Sequence, residues 1–120
     1  MAKVLIVNDD EDLVETTCLV LEAAGFEVAH TIEGKATLEI AHAQRPDVIL
    51  LDFVLSGTNG GTVLSALRAD STLRATPVVM MSALRDGAER ARRAGADFFL
   101  QKPFTADELV DAVARRLRSE

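Results

Sequence analysis

The sequence is poor in the residues that build covalent or metal-held frameworks. Its 120 residues include one cysteine, Cys18, and two histidines, His30 and His42. A single cysteine excludes an internal disulfide and is typical of a reducing compartment. Neither histidine has a second histidine or cysteine at ligand spacing, so the sequence indicates no zinc site. We interpret Cys18 as a small residue on a helix face rather than a redox or metal-binding group.

Long hydrophobic runs are also missing. No apolar stretch approaches the roughly 20 residues that span a bilayer, and only Met1, Ala2 and Lys3 precede the first predicted strand, so no signal peptide is visible. We therefore expect a cytoplasmic protein without membrane contact. A hydrophobic content of 48% is typical of a folded protein. The length favours one domain, residues 1–120, around one core.

Basic residues are scarce in the first half of the chain. Residues 1–60 contain 11 acidic and 3 basic side chains, which gives a net charge of −8. Residues 61–120 contain 8 acidic and 10 basic side chains, which gives a net charge of +2. Because nucleic-acid binding needs a clustered basic surface, we expect no direct contact with nucleic acid. The basic runs at 90–93 and 115–118 are interpreted as solvated helix faces, which could equally bind an acidic partner protein.

Short apolar runs alternate five times with longer segments of helical period. Strands are predicted near residues 3–7, 26–30, 47–52, 77–81 and 97–101, and helices near 11–24, 33–44, 60–69, 85–94 and 105–118. Three strands are apolar at successive positions, as in parallel sheets covered on both faces. Asn59-Gly60 is a possible hairpin turn, but the helical spacing after it argues against one. The pattern predicts an α/β fold, a doubly wound five-stranded parallel sheet with five helices.

Polar side chains follow four of the predicted strands where each strand ends. Asn8, Asp9 and Asp10 follow the first strand and Asp52 closes the third; Ser82 and Lys102 follow the fourth and fifth. Ligands of open parallel sheets bind outside the carboxyl ends of the strands. We therefore expect these six side chains to converge on one crevice.

The chemistry of this set points to phosphoryl transfer. Asp9, Asp10 and Asp52 would repel one another unless a cation joined them, and oxygen ligands of this kind suit Mg²⁺. Asp52 could then act as a nucleophile toward a phosphoryl group. Lys102 and the Ser82 hydroxyl would supply positive charge and a hydrogen bond to the phosphoryl oxygens. Asp9 or Asp10 could instead simply cap the first helix.

These residues together resemble the receiver domains of two-component response regulators, the CheY-like family. The resemblance extends from Lys3 to about Arg118. It rests on the acids after the first strand, on residues 52–60 and 81–83, and on Ala94-Gly95-Ala96-Asp97 with Lys102-Pro103-Phe104. It implies the flavodoxin-like sheet order 2-1-3-4-5.

The resemblance also assigns roles to the residues. Asp52 would be the phosphoacceptor, with Lys102 and Ser82 beside it. Asp9, Asp52 and the Val54 carbonyl would hold Mg²⁺ or Mn²⁺, with Asn8 or Asp10 acting secondarily or through water. Ser82 and Phe99 would switch the face of helix 4, strand 5 and helix 5, and the Lys102-Pro103 bond would be cis.

Several positions depart from the family pattern. Asn8 stands where the family usually has an acid, so we expect weaker metal binding. Ser56 replaces a usual proline, which we expect to free the loop after Asp52. The spacing from Ser82 to Lys102 is about two residues tighter than the commonest spacing in the family, which predicts that the fourth helix or the loop before it is short or irregular. Val54 and Leu84 are apolar where polar residues commonly help water to reach the phosphoryl group, so we expect slow hydrolysis of the phosphorylated form.

The resemblance implies a sensor histidine kinase or a phosphotransfer protein as phosphodonor. Downstream, it implies a protein partner or an output domain outside residues 1–120, and a monomer or a phosphorylation-dependent dimer. We expect no enzymatic activity beyond the protein's own phosphorylation and dephosphorylation.

Three alternative functions fit parts of the sequence. A degenerate receiver that works without phosphorylation has Asn8 as its support. A haloacid-dehalogenase-type phosphatase would need a second carboxylate two residues after its nucleophile, where this chain has Val54. A flavodoxin-like electron carrier would need a Ser/Thr-Gly-rich loop after the first strand, and the sequence has neither tyrosine nor tryptophan.

Overall fold

A computed structural model describes residues 1–118. In it, five parallel strands form a central sheet: β1 (Lys3–Val7), β2 (Glu27–Thr31), β3 (Val48–Asp52), β4 (Val78–Ser82) and β5 (Phe98–Gln101). Their order across the sheet is β2-β1-β3-β4-β5, and every neighbouring pair is parallel. The predicted α/β fold and strand order are confirmed.

Five α-helices connect and follow the strands: α1 (Glu11–Ala23), α2 (Thr37–Gln44), α3 (Gly60–Ala69), α4 (Gly87–Ala94) and α5 (Ala106–Arg118). Two helices begin later than predicted. The segment before α2 is a 3₁₀ turn, Gly34–Ala36, and α4 begins at residue 87 instead of 85. No side chain caps either of these starts, so the first turn lacks an acceptor that would fix it in the α conformation. The eight-residue α4 is short, as expected.

The core has two layers because successive strand residues point to opposite faces of the sheet. One layer joins Leu5, Ile49, Leu51 and Met80 to α2, α3 and α4. The other layer joins alternate strand residues to α1 and α5: Val4, Ile6, Leu50, Val79 and Met81. Strands β1, β3 and β4 have no exposed residue, which explains their continuous apolar sequence.

The connection from β3 to α3 contains an antiparallel pair that the sequence analysis did not predict. Val54–Leu55 pairs with Thr58–Asn59 around a turn at Ser56-Gly57. Asn59 is not itself a hairpin turn residue: its side-chain oxygen accepts the Thr62 N–H and caps α3. Rejecting a turn at Asn59-Gly60 was therefore right, although a short hairpin lies just before it.

Local interactions fix the end of α4 and the start of α5. Gly95 ends α4 with φ of 93°, a conformation that suits glycine. At the start of α5, Thr105 and Glu108 form a reciprocal capping box. The Lys102-Pro103 peptide bond is cis, as the resemblance implied. Within residues 1–118, no helix combines the length and apolar character needed to cross a membrane.

Candidate functional site

The strand-end residues meet at one cavity of about 260 Å³. Eight residues line it: Asn8, Asp9, Asp10, Asp52, Val54, Ala83, Leu84 and Lys102. Five of the six side chains that the strand-end pattern selected are therefore together. Ser82 is not a lining residue. It is buried, and its neighbours Ala83 and Leu84 line the cavity instead.

Asp52 and Lys102 form the centre of the site. Asp52 ends β3 and is 3% exposed, yet its carboxylate borders the cavity. One oxygen, Oδ1, accepts the Val54 main-chain N–H at 3.0 Å, and the other, Oδ2, pairs with the Lys102 ammonium group. A buried carboxylate needs such partners, because losing water around its charge is costly. Lys102 is placed by β5, whose end is bonded to β4 through the Lys102 N–H and the Ser82 carbonyl.

Asp9 is held by the loop that follows β3. Its Oδ2 accepts both the main-chain N–H of Ser56, at 2.7 Å, and the Ser56 hydroxyl, at 2.6 Å. The hydroxyl bond is the main reason that the pKa of Asp9 lies below its ordinary value, and partial desolvation opposes this shift. The expectation that Ser56 frees this loop is wrong for the described structure, because Ser56 fastens the loop to Asp9.

Asn8 contributes a buried amide to the cavity wall. It is 1% exposed, and its Oδ1 accepts the Asp10 N–H at 3.0 Å. Its Nδ2 is buried and has no hydrogen-bond partner within residues 1–118. A buried donor without a partner is costly, so this amide is available to an acceptor that enters the cavity.

Asp10 is engaged at the start of α1. Its Oδ1 accepts the main-chain N–H groups of Asp12 and Leu13, at 3.1 and 3.2 Å, so it is the N-cap of this helix. Of the two acids that could have capped α1, Asp10 does so and Asp9 does not. Asp10 still borders the cavity, but one of its oxygens already has two donors.

Ser82 connects the cavity wall to the interior. Its side chain is 1% exposed, and its hydroxyl oxygen accepts the Leu84 N–H at 2.9 Å. This bond fixes the turn that brings Leu84 to the cavity. Phe99, the other predicted switch residue, is half-buried on β5 and does not line the cavity.

The donors around the cavity fit a hard divalent cation. Asp9 and Asp52 offer carboxylate oxygens and Val54 borders the same space, which is the chemistry that Mg²⁺ prefers. No group of three or more His, Cys, Asp or Glu side chains is arranged as a metal site in residues 1–118. Two observations account for this: Asn8 supplies an amide instead of an acid, and Asp10 caps α1. The site is therefore built around two carboxylates.

This arrangement can accept an electrophilic phosphoryl group. Asp52 presents a carboxylate oxygen to open space, and Lys102 supplies positive charge at the same carboxylate. An ammonium group there stabilises negative charge as it develops on phosphoryl oxygens. Val54 and Leu84 line the cavity with apolar side chains, and the two residues are 58% and 37% exposed.

Sequence reasoning missed two residues that shape the site. Ser56 was noted only as a departure from the family pattern, although its place four residues after Asp52 was a signal that it could reach the acids. Gly87, at the start of α4, was not singled out at all. The sequence carries no signal for it beyond a glycine at a helix start.

The comparisons with known proteins agree with the geometry. The family model described as "Response regulator receiver domain" matches residues 4–114. The DNA-binding response regulator MtrA of Mycolicibacterium paratuberculosis is 40% identical over 118 residues, which cover 97% of this chain and 51% of MtrA. The chain thus spans about half the length of the curated relatives it matches.

Solved structures show the same fold over the whole chain. The chemotaxis response regulator CheY4 of Vibrio cholerae superposes with a TM-score of 0.90 at 30% identity, covering 98% of this chain and 99% of CheY4. The receiver domain of the Francisella response regulator 1452 gives a TM-score of 0.90 at 28% identity, covering 99% of this chain and 98% of that domain's chain. With its sheet order and its family match, this chain belongs to the response regulator receiver domains of two-component signalling systems.

Proposed function

We propose that this chain receives a phosphoryl group on Asp52 from a phosphohistidine of a sensor histidine kinase or phosphotransfer protein. The observation that carries this proposal is the pairing of Asp52 with Lys102 at an open cavity. Asp52 is otherwise buried and has no structural need for a charge at the end of an apolar strand.

The reaction is a single phosphoryl transfer. A carboxylate oxygen of Asp52 attacks phosphorus as the phosphorus–nitrogen bond of the donor breaks, and the electron pair of that bond remains on the imidazole nitrogen. Asp52 becomes an acyl phosphate. Lys102 leaves its carboxylate partner to contact the phosphoryl oxygens. The chain acts as an acceptor and not as a turnover enzyme.

A divalent cation completes the proposed site. When bound, Mg²⁺ or Mn²⁺ neutralises the carboxylates and the incoming phosphoryl charge. We assign Asp9, Asp52 and the Val54 carbonyl as its ligands, with Asn8 or Asp10 acting through water. Asp9 must then bind both the cation and Ser56, and the two hydrogen bonds from Ser56 already use its Oδ2.

The proposed response to phosphorylation involves Ser82 and Phe99. Ser82 is placed to turn its hydroxyl toward a phosphoryl group on Asp52, since its neighbours Ala83 and Leu84 line the cavity. Phe99 lies on β5 next to α4, so its position would alter the surface formed by α4, β5 and α5. The signal would leave through a protein partner there or through an output domain, with dimerisation of the phosphorylated form as a second route. The net charge of −6 supports protein partners over nucleic acid.

A degenerate receiver that never takes phosphate is the second candidate, and Asn8 favours it. The missing acid weakens the cation site on which transfer depends. Asp52 and Lys102 are nevertheless paired at the cavity, which favours the phosphoacceptor.

Intact-mass measurement separates these two functions. The wild-type protein, incubated with acetyl phosphate and Mg²⁺, should gain the mass of one phosphoryl group, and it should lose this gain when EDTA replaces Mg²⁺. Asp52→Ala should gain nothing. An unlabelled wild type would support the degenerate receiver, and equal labelling of Asp52→Ala would remove Asp52 from the account.

A further inference from the structure

Gly87 begins α4 at a place where three residues converge. It is buried, and a Cβ atom at this position would lie 2.7 Å from Cζ and 3.0 Å from Cε1 of the Phe99 ring. The same atom would lie 3.1 Å from Cβ of Ser82. The ring edge of Phe99 and the Ser82 side chain therefore both border the space that a side chain at position 87 would fill.

Each of these contacts leads back to the cavity. The Gly87 N–H donates to the Leu84 carbonyl at 3.1 Å, and the Leu84 N–H donates to the Ser82 hydroxyl at 2.9 Å. Leu84 lines the cavity beside Asp52. The start of α4, the Ser82 hydroxyl and the cavity wall are thus one hydrogen-bonded unit, and the Phe99 ring packs on it.

We propose that Gly87 is a positioning residue: its missing side chain forms a seat for the Phe99 ring, and the seated ring favours the turn of the Ser82 hydroxyl from the Leu84 N–H toward a phosphoryl group on Asp52. This inference rests on the proposed phosphorylation of Asp52. In the unphosphorylated protein, the Phe99 ring already lies inward. Gly87 in α4 holds it there, without phosphorylation.

Steric geometry makes the seat specific for glycine. Any L-residue places its Cβ 2.7 Å from Cζ of the ring in its present position, and no rotamer of that residue can move a Cβ. Contacts of 2.7 Å between carbon atoms do not persist, so the ring must leave or α4 must shift. Once the ring leaves, the space beside Ser82 is open, and the Ser82 side chain can occupy it instead of turning toward Asp52.

The seat therefore couples two equilibria. If the inward ring favours a Ser82 hydroxyl that faces the cavity, then phosphorylation of Asp52 and seating of Phe99 must favour each other by the same factor. If the Ser82 hydroxyl already contacts the phosphoryl oxygens during transfer, the same preference acts on the transition state, and a methyl group at position 87 should slow the labelling of Asp52 by roughly tenfold.

The test uses four variants of the whole chain and two readouts. Gly87→Ala adds the methyl group, Phe99→Ala empties the seat, and Gly87→Ala/Phe99→Ala combines them. Gly61→Ala is the matched control: it also adds a methyl group in the first turn of a helix near the site, but its closest contact is Asn59 Oδ1 at 3.1 Å. The readouts are the rate of labelling by acetyl phosphate and NMR contacts between Gly87 Hα and the Phe99 ring protons.

The expected results are distinct. Wild-type protein should show Gly87–Phe99 ring contacts before phosphorylation. Gly87→Ala and Phe99→Ala should each label about tenfold more slowly than wild type and Gly61→Ala, and the double variant should be no slower than either, because both changes remove the same seated ring. Independent structural losses would instead add in free energy, so the double variant would label more slowly than either single variant.

Two results would overturn the inference while the proposed function stands. One is a wild-type protein that is labelled but shows no NMR contacts between Gly87 and the Phe99 ring. The other is Gly87→Ala being labelled at the same rate as the Gly61→Ala control. An unlabelled wild type would contradict the proposed function itself. The NMR contacts would then still show whether the Phe99 ring packs on Gly87. If Gly87→Ala does not fold, the NMR contacts in wild type and the comparison of the double variant with Phe99→Ala still decide the question.

Discussion

Ser56 donates two hydrogen bonds to one oxygen of Asp9, from its main-chain N–H at 2.7 Å and from its hydroxyl at 2.6 Å. These bonds join the loop after β3 to the end of β1, 47 residues away in sequence. A proline at this position could make neither bond, because it has no N–H and no hydroxyl. The substitution therefore changes the immediate surroundings of a proposed cation ligand.

The first prediction is that Ser56 competes with the cation for Asp9. Ser56→Ala removes the hydroxyl bond and leaves the carboxylate freer to bind Mg²⁺. We expect Mg²⁺ affinity to rise about fivefold, because a net hydrogen bond of this kind is worth ~1 kcal/mol. Calorimetric titration with Mg²⁺ measures the change. Ser65→Ala, at an exposed serine of α3 outside the cavity, is the control and should bind like wild type.

The second prediction concerns pH. The Ser56 hydrogen bonds hold the pKa of Asp9 below its ordinary value of 3.8. When the pKa of a carboxyl group is lower in the folded than in the unfolded protein, its ionised form stabilises the fold at any pH above the ordinary pKa. This contribution is lost as the pH falls through the pKa of the folded protein. Ser56→Ala should therefore be less stable than wild type at neutral pH but not below the folded pKa. Urea unfolding at both pH values tests this. NMR titration of the Asp9 carboxyl carbon should also show that the pKa of Asp9 in the variant rises toward its ordinary value of 3.8.

The third prediction concerns Asn8. Asn8→Asp adds a negative charge beside Asp9 and Asp52, and cation affinity rises with the number of charged ligands. Mg²⁺ should bind on the order of tenfold more tightly. Asn8→Ala removes the amide without adding charge, so it should show no such gain. Equal affinities for wild type and Asn8→Asp would mean that position 8 does not face the cation.

The fourth prediction is that Val54 and Leu84 prolong the phosphorylated state. Both residues line the cavity and are partly exposed, and their side chains offer no hydrogen bond to a water that approaches the acyl phosphate. Val54→Asn and Leu84→Asn should shorten the half-life of the label several-fold, measured by intact mass after the donor is removed. Leu19→Asn, at an exposed leucine of α1, is the control. A wild-type label lost within seconds would contradict this prediction.

Much of the fold could be predicted because it is encoded locally. The continuous apolar runs of β1, β3 and β4 indicate strands buried on both faces, and Gly95 and Thr105 mark helix ends through their own conformations and hydrogen bonds. Asp52 was predictable for the same reason, since a carboxylate at the end of such a run has no other use.

The features that were missed depend on long-range packing. Two-residue strands such as Val54–Leu55 have no period to recognise. Arg68 donates to the Thr76 and Gly95 carbonyls and to the Asp97 carboxylate, contacts that no local pattern predicts. The Ser56–Asp9 and Gly87–Phe99 pairs likewise form only once the strand ends and α4 have been assembled.

The central claim is that Asp52 itself carries the phosphoryl group. Protein treated with acetyl phosphate and Mg²⁺ can be reduced with borohydride, which converts an aspartyl phosphate to homoserine, and then digested and mapped by tandem mass spectrometry. We expect the conversion at residue 52 and none in Lys102→Met, which lacks the ammonium group beside the carboxylate. Conversion at Asp9 or Asp10, or no conversion at any residue, would contradict it.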